Sequence, residues 1–360
     1  KAKCVDYSDY EWSIDNMLKW NRTFAKIHIF DFIKKRTMKK RQITIKDIAK
    51  ALHISPSTVS RSLADHPDIS QETKNIVNAY AREHKYKPNA LALSLRTNNT
   101  KTIGVILPQI VHYFFSSVLS GIEDEAEKGG YRVIICQSNE NYEKEVKGAQ
   151  ALLEARVCGV LASVAKTTTI YNHFQELIDS DIPMVFFDRI CTGILTDRVV
   201  VDDYAGVCSA VEYLIRSGCR RIAFFGSPSH LAISNNRRMG YEDALRKNGL
   251  PVDKELIKIC DNYTEALRLT PELLSLPNRP DAFFAVNDET AIGVLNVVKA
   301  KGLRIPDEVS ICGFTNNSLA EVSDPLLTSV DQHGYELGAI AMRLLIERLN
   351  GVRDGDRIVS

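Results

Sequence analysis

From Thr102 onward, short apolar runs alternate with longer stretches whose apolar residues recur every three or four positions. The runs predict strands at Thr102–Leu107, Arg132–Cys136, Gly159–Leu161, Met184–Phe187, Arg221–Phe225, Ala282–Val286 and Val309–Cys312. The periodic stretches predict helices at Phe115–Lys128, Lys144–Ala155, Ile170–Asp179, Ala205–Ser217, Arg238–Asn248, Glu289–Lys301 and Tyr335–Leu349. Repeated strand–helix alternation specifies an α/β fold with mainly parallel sheets. Runs such as VIIC and MVFF do not alternate with polar residues, as expected of strands buried on both faces. Residues 102–360 are numerous enough for two doubly wound lobes.

The pattern before Thr102 is different. Ile45, Ile48, Ala49 and Leu52 recur at three and four, behind Thr44 and Asp47 in capping-box spacing. This predicts a helix from Ile45 to about Leu52, then a turn at His53-Ile54. Ser55 is placed to cap a second helix, Pro56 to Leu63, with proline at the first helical position, where its missing N–H costs nothing. Val59 and Leu63 are expected inside, and Ser57, Thr58, Ser60 and Arg61 outside. A third helix, Gln71 to about His84, would turn Ile76, Val77 and Tyr80 inward. Two short helices with a tight turn and a third completing the core suit a helix-turn-helix. A small packing module without a nucleic-acid partner fits the periodicity as well.

Residues 88–101 then read as a short apolar helix, Asn89 to Leu95, and a polar tether from Arg96. A seven-residue helix does not hold by itself in water, so a second copy, DNA or both would have to support it. Leu95 is a candidate wedge for a minor-groove step, with Arg96 near the backbone. A plain linker packing its leucines on the larger unit is the competing reading. Residues 1–37 keep no steady period, and their most apolar part, Phe24 to Ile33, is interrupted by Lys26, His28 and Asp31. They read as an atypical, non-native extension, with the native chain expected to begin at Met38.

Charge sharpens the division. Met38–Lys101 carries 12 Lys and Arg against 5 Asp and Glu, net +7, while Thr102–Ser360 carries 26 against 35, net −9. Only the small module is therefore expected to meet a polyanion. No apolar run is long enough for a membrane helix. The eight cysteines form no C-x-x-C pair, and several lie in apolar runs, so they read as buried thiols of a reducing compartment. The eight histidines match no metal-ligand spacing, and neither metal nor cofactor is expected.

Ligands of open parallel sheets sit beyond the carboxyl ends of the strands. Phe114 and Phe115, Asp188 and Arg189, Asn287 and Asp288, and Asn316 fall there. Carboxylate and guanidinium bind hydroxyls and an aromatic face covers C–H groups, which would suit a polyol or sugar. Such Asp and Asn residues serve equally as helix caps, and paired aromatics as core. No G-x-G-x-x-G follows the first strand, and G-K-S/T, G-x-S-x-G and H-x-x-x-H are missing, so no enzymatic chemistry is marked.

The stretch 44–108, TIKDIAKALHISPSTVSRSLADHPDISQETKNIVNAYAREHKYKPNALALSLRTNNTKTIGVILP, resembles the lactose-repressor-type family of bacterial regulators. The resemblance continues through 114–139, PMVFFDR (183–189), RRIAFFG (220–226), RRMGY (237–241), 280–295, 302–314 and LLTSVDQ (326–332), over nearly all of 44–350. It implies a small helical DNA-binding domain (38–87), a hinge (88–101) and a two-lobed sensor like a periplasmic binding protein (102–360). It also implies a cytoplasmic homodimer on a near-palindromic operator, in most cases a repressor, answering to a small sugar-like effector. By resemblance, Thr44, Ser55, Ser57, Thr58, Arg61, Asn89, Leu95 and Arg96 would meet DNA. Phe114, Phe115, Asp188, Arg189, Arg237, Asp288, Asn316 and Gln332 would meet the effector. Two departures stand out: Gly313-Phe314-Thr315 replaces the family's G-F-D, and the sequence stops at DGDRIVS, before the family's last expected strand. A sugar-binding protein without a transcriptional role resembles the sensor alone, but would have no use for residues 44–97; an enzyme on the same scaffold lacks a poised nucleophile.

Overall fold

The computed structural model describes residues 43–87, 100–352 and 355–360. The readings made for residues 1–37, for the hinge helix and for Asn89, Leu95 and Arg96 lie outside them. The chain divides into two units, Lys1–Leu93 and Ser94–Ser360.

In the first unit, helices α1 (Ile45–Leu52), α2 (Pro56–Leu63) and α3 (Gln71–Glu83) follow the periodic pattern to within a residue. Thr44 and Asp47 form the reciprocal capping box, satisfying backbone donors that the first turn leaves open. His53 ends α1 in the left-handed conformation (φ 53°). Ser55 caps α2 with Pro56 behind it, and Ser70 caps α3. Ile48, Val59 and Val77 are fully buried and join Ala49 and Ala81 in one core. Ile76, expected inward, is 51% exposed. It neighbours Val77, and at about 100° per residue the two cannot share the narrow stripe that faces α1 and α2.

The second unit holds two parallel sheets. The first contains β1 (Thr102–Leu107), β2 (Arg132–Gln137), β3 (Gly159–Ala162), β4 (Met184–Phe187), β5 (Asp197–Val199) and β11 (Ile358–Val359), ordered β11-β5-β4-β3-β1-β2. Helices α4 (Tyr113–Lys128), α5 (Tyr142–Glu154), α6 (Asn172–Asp179) and α12 (Gly334–Leu349) cover it. The second contains β6 (Ile222–Gly226), β7 (Ile257–Ile259), β8 (Ala282–Ala285), β9 (Ser310–Thr315) and β10 (Thr328–Asp331), ordered β10-β9-β8-β6-β7. Its helices are α7 (Asp203–Arg216), α8 (Ala232–Lys247), α9 (Tyr263–Leu274), α10 (Asp288–Ala300) and α11 (Ser318–Val322). The chain passes from the first lobe to the second after β5 and returns after β10.

Alternate residues of each central strand feed opposite cores. Ile103, Val105 and Leu107 pack with α4 and α12, whereas Ile106 joins Leu152, Phe174 and Phe186 on the other face. In the second lobe Phe225 and Phe283 enter one core and Phe224, Phe284 and Phe314 the other. α4 and α12 touch backbone to backbone: a Cβ on Gly121 would fall on Tyr335 and one on Gly338 on Val118, so only glycine permits the approach. Cys191, Cys219, Cys260 and Cys312 are buried free thiols. Among the described residues no helix is long and apolar enough to cross a membrane.

The sequence pattern missed β5, β7, β10 and β11, all edge or near-edge strands of two to four residues. It also missed the five-residue α11 and the longer α9, which carries Pro271 in its interior. Proline removes a helical N–H and reads as a breaker, but Ala266, Leu269, Leu273 and Leu274 bury the face that holds the helix together.

Candidate functional site

Two surfaces carry the chemistry, one in each unit. On the helix-turn-helix, the hydroxyl of Ser55 accepts from the Thr58 amide at 3.0 Å and pairs with the Thr58 hydroxyl at 2.8 Å. Thr44 donates its hydroxyl to Asp47 at 2.7 Å. These polar side chains are already engaged in caps. Ser57 and Arg61 are exposed, and neither side chain hydrogen-bonds another described residue, so both present donors outward from α2. Lys74 is committed inward instead: it is buried and paired with Asp65 at 2.8 Å, tying α3 to the turn after α2.

In the second unit, a cavity of about 350 Å³ lies between the two lobes at the carboxyl ends of their strands. Phe114 and Phe115, at the start of α4, form an edge-to-face pair on its wall, with centroids 5.2 Å apart. Asp188 follows β4 in a left-handed conformation (φ 58°) that points the chain back toward β5, its amide donating to Val199 at 3.0 Å. Its side chain lines the cavity and is 7% exposed, and burial pushes its carboxyl up to about 6, with Arg189 opposing the rise. Arg189 grips both oxygens of Glu140 at 2.8 Å and lies 5.7 Å from the Phe115 ring centroid. Arg237, in the second turn of α8, donates to Asp203 and to the Val286 carbonyl, each at 2.7 Å, over the Phe314 ring. Gln332, at the second crossover, accepts from Thr315 at 2.8 Å.

Contacts also cross the mouth of the cavity. Lys166, after β3, pairs with Asp261, after β7, at 2.7 Å, and His230 meets the Lys166 carbonyl at 2.5 Å. His112 lies 3.8 Å from Glu289. The Lys166 loop is braced from its own lobe, with Glu140 accepting the Lys166 amide at 2.7 Å and buried Glu145 accepting from Ala165, Thr168 and His173. Glu140 therefore joins a cavity guanidinium to the loop that reaches the other lobe.

Six of the eight sensor residues named from sequence line this cavity: Phe114, Phe115, Asp188, Arg189, Arg237 and Gln332. Asp288 and Asn316 do not. Asp288 is fully buried behind the wall, accepting from the Ser329 hydroxyl at 2.5 Å and the Asn317 amide at 2.8 Å, where it holds the loop after β9. Gly313 makes room for that carboxylate, since a Cβ there would strike it. Burial raises the Asp288 carboxyl to about 6 against those hydrogen bonds. Asn316 turns instead toward Asp331 at 3.2 Å, and its neighbours Thr315 and Asn317 face the cavity. In the Asn-Asp pair it is Asn287 that lines the cavity, while capping α10. Glu140, Lys166, Asp261 and Asn262 escaped the sequence reading. The strand-end rule covers the first two, but the last pair follow β7, a strand too short to show in the pattern.

Comparison with known proteins now bears on both surfaces. Residues 44–89 match the model for bacterial regulatory proteins of the lacI family, and residues 211–359 that of a periplasmic binding protein-like domain. Catabolite control protein A of Priestia megaterium is 33% identical over 310 residues, spanning 86% of this chain and 93% of that protein. The chain belongs to the lacI family of bacterial regulators. The HTH-type transcriptional repressor CytR of Escherichia coli (strain K12) is 33% identical over 323 residues, spanning 88% of this chain and 93% of its own. Among solved structures, the Lac repressor dimer bound to operator and the anti-inducer ONPF shares the fold, with a TM-score of 0.79 at 21% identity over 89% of this chain and 96% of that one. The CelR–cellobiose complex does so at 0.67 and 24% identity, over 88% and 96%. As a lacI-family member the chain is a transcriptional regulator with a helix-turn-helix and a two-lobed sensor, and its relatives are regulators rather than enzymes.

Proposed function

We propose that the chain is an effector-controlled repressor working as a cytoplasmic homodimer. Two copies of α2 sit in successive major grooves of a near-palindromic operator, with Ser57 and Arg61 reaching bases or adjacent phosphates. Asn89, Leu95 and Arg96 complete the grip at the minor groove. A small sugar-like effector occupies the cavity, where Asp188, Arg189, Arg237 and Gln332 bind hydroxyls and Phe115 covers a C–H face. Asp288 acts from behind, shaping the wall through Asn317. The cavity binds its ligand without transforming it.

The observation that supports this reading most is the polar cavity between two lobes that already touch through Lys166–Asp261. A ligand there changes the free energy of closure, and closure is what a linked DNA-binding unit can sense. A coupling of roughly 1–3 kcal/mol changes operator affinity about 5–150-fold. The relatives named as repressors, CytR among them, favour repression as its sense.

The test is selection of bound duplexes from a random pool by the purified full chain, followed by a salt titration. A two-fold symmetric consensus that competes out random DNA, with affinity falling steeply as salt rises, supports the reading. Weak binding to every duplex alike, with no enriched sequence, defeats it.

A further inference from the structure

We infer that the cavity takes a hydroxyl-rich ligand carrying no phosphate or carboxylate, because every cation on its wall already faces a carboxylate of the chain while the buried Asp188 carboxylate accepts no hydrogen bond from the described residues. The inference rests on the cavity being the effector site, and narrows what enters it.

Arg189 is held by Glu140, Arg237 by Asp203 and Lys166 by Asp261, at 2.7 to 2.8 Å. Arg237 spends a further donor on the Val286 carbonyl. On the wall itself, Glu140, Asp188, Asp261 and Glu289 stand against Lys166, Arg189 and Arg237, and Asp203 adds another acid behind Arg237. An anion entering here meets cations whose charge a carboxylate already offsets, gains little from them and sits among surplus negative charge. Drawing a cation off altogether would leave its carboxylate buried without a partner, the costly half of breaking such a pair.

Asp188 states the complementary preference. It is almost wholly buried, lines the cavity, and accepts no hydrogen bond from another described residue. Arg189 Nε lies 3.9 Å from Asp188 Oδ2, too far for a hydrogen bond, and finds no acceptor. The carboxylate therefore calls for a donor, and a hydroxyl supplies one without adding charge. Phe114, Phe115 and Val286 supply apolar wall for the C–H groups between hydroxyls.

The experiment uses the full chain and matched probes: glucose with glucose 6-phosphate and glucuronate, ribose with ribose 5-phosphate, and uridine with uridine 5′-monophosphate. Binding is read by calorimetry and by thermal shift. At least one uncharged compound is expected to bind, and its anionic partner to bind roughly a hundredfold more weakly or worse. Glu140→Gln, which loosens Arg189, should narrow that gap. The proposal is overturned by an anionic probe that binds as tightly as its uncharged parent, or by silence from every uncharged probe. Uncharged binding that Asp188→Asn leaves unchanged puts the ligand elsewhere and overturns the cavity assignment with it. Operator selection is independent of all these outcomes, so failure here does not imply failure of the DNA-binding reading.

Discussion

Replacing Asp188 by asparagine should make the sensor more stable at neutral pH and leave its stability almost unchanged in mild acid. The Asp188 carboxyl ordinarily titrates near 3.8, and in the fold burial pushes it up to about 6. A folded-state value above the unfolded one means that the fold prefers the neutral acid. Its contribution is fully present below about 3.8 and is lost as pH rises through about 6. The separation of about two pH units corresponds to about 3 kcal/mol at neutral pH. Asparagine has nearly the same shape and no charge, so the variant escapes this penalty. At about 2–4 °C per kcal/mol for a unit of this size, its melting temperature should exceed that of the parent by about 6–12 °C at pH 8. Near pH 4 the two should coincide. Differential scanning calorimetry of both proteins from pH 4 to 8 reads the difference directly and cancels other titrating groups, Asp288 among them. An offset that does not change with pH, or a variant less stable at pH 8, would refute the assignment of the strain to a buried charged carboxylate.

Asp288→Asn should be stabilised less at pH 8 than Asp188→Asn despite a similar raised value, because its carboxylate accepts from Ser329 and Asn317 and an amide oxygen can keep only one of these bonds, a difference of about 1–3 kcal/mol by denaturant titration. Asp203→Ala strands the buried Arg237 guanidinium and should cost about 3–5 kcal/mol, with Asp203→Ala/Arg237→Met recovering much of it; equal losses in single and double variants would contradict this. Lys166→Met removes the ion pair across the cavity mouth and should open the lobes, seen as a longer inter-lobe distance between spin labels; an unchanged distance would show that closure does not depend on it. Arg61→Ala should weaken binding to the selected operator by about 1–3 kcal/mol while leaving melting unchanged, since the side chain is exposed and supports nothing in its unit.

Much of the molecule is legible from local rules. Capping residues and periodicity placed α1 and α2 to the residue, because those signals act within one turn of helix. Buried strands such as Thr102–Leu107 and Met184–Phe187 announced themselves as unbroken apolar runs, but the run VIIC misled: it belongs to β2, an edge strand that leaves Ile134 40% exposed. The family resemblance added the roles of the loops, and the cavity does collect Phe115, Asp188, Arg189, Arg237 and Gln332 from segments more than two hundred residues apart in sequence.

What only the tertiary structure decided is which partner each polar group finds. Asp288 and Asn287 are neighbours at the end of one strand, and nothing local says which of them faces the cavity. That depends on Gly313 leaving space and Ser329 arriving from β10. Glu140 is an ordinary loop acid in the sequence; the pairing of β1 with β2 on one side and β3 on the other brings it within reach of Arg189 and Lys166. Periodicity and caps are short-range, set by backbone geometry within a few residues. Charge pairing and burial are long-range, set by where the sheet order brings distant strand ends together, and in this chain that pairing controls the chemistry of the cavity.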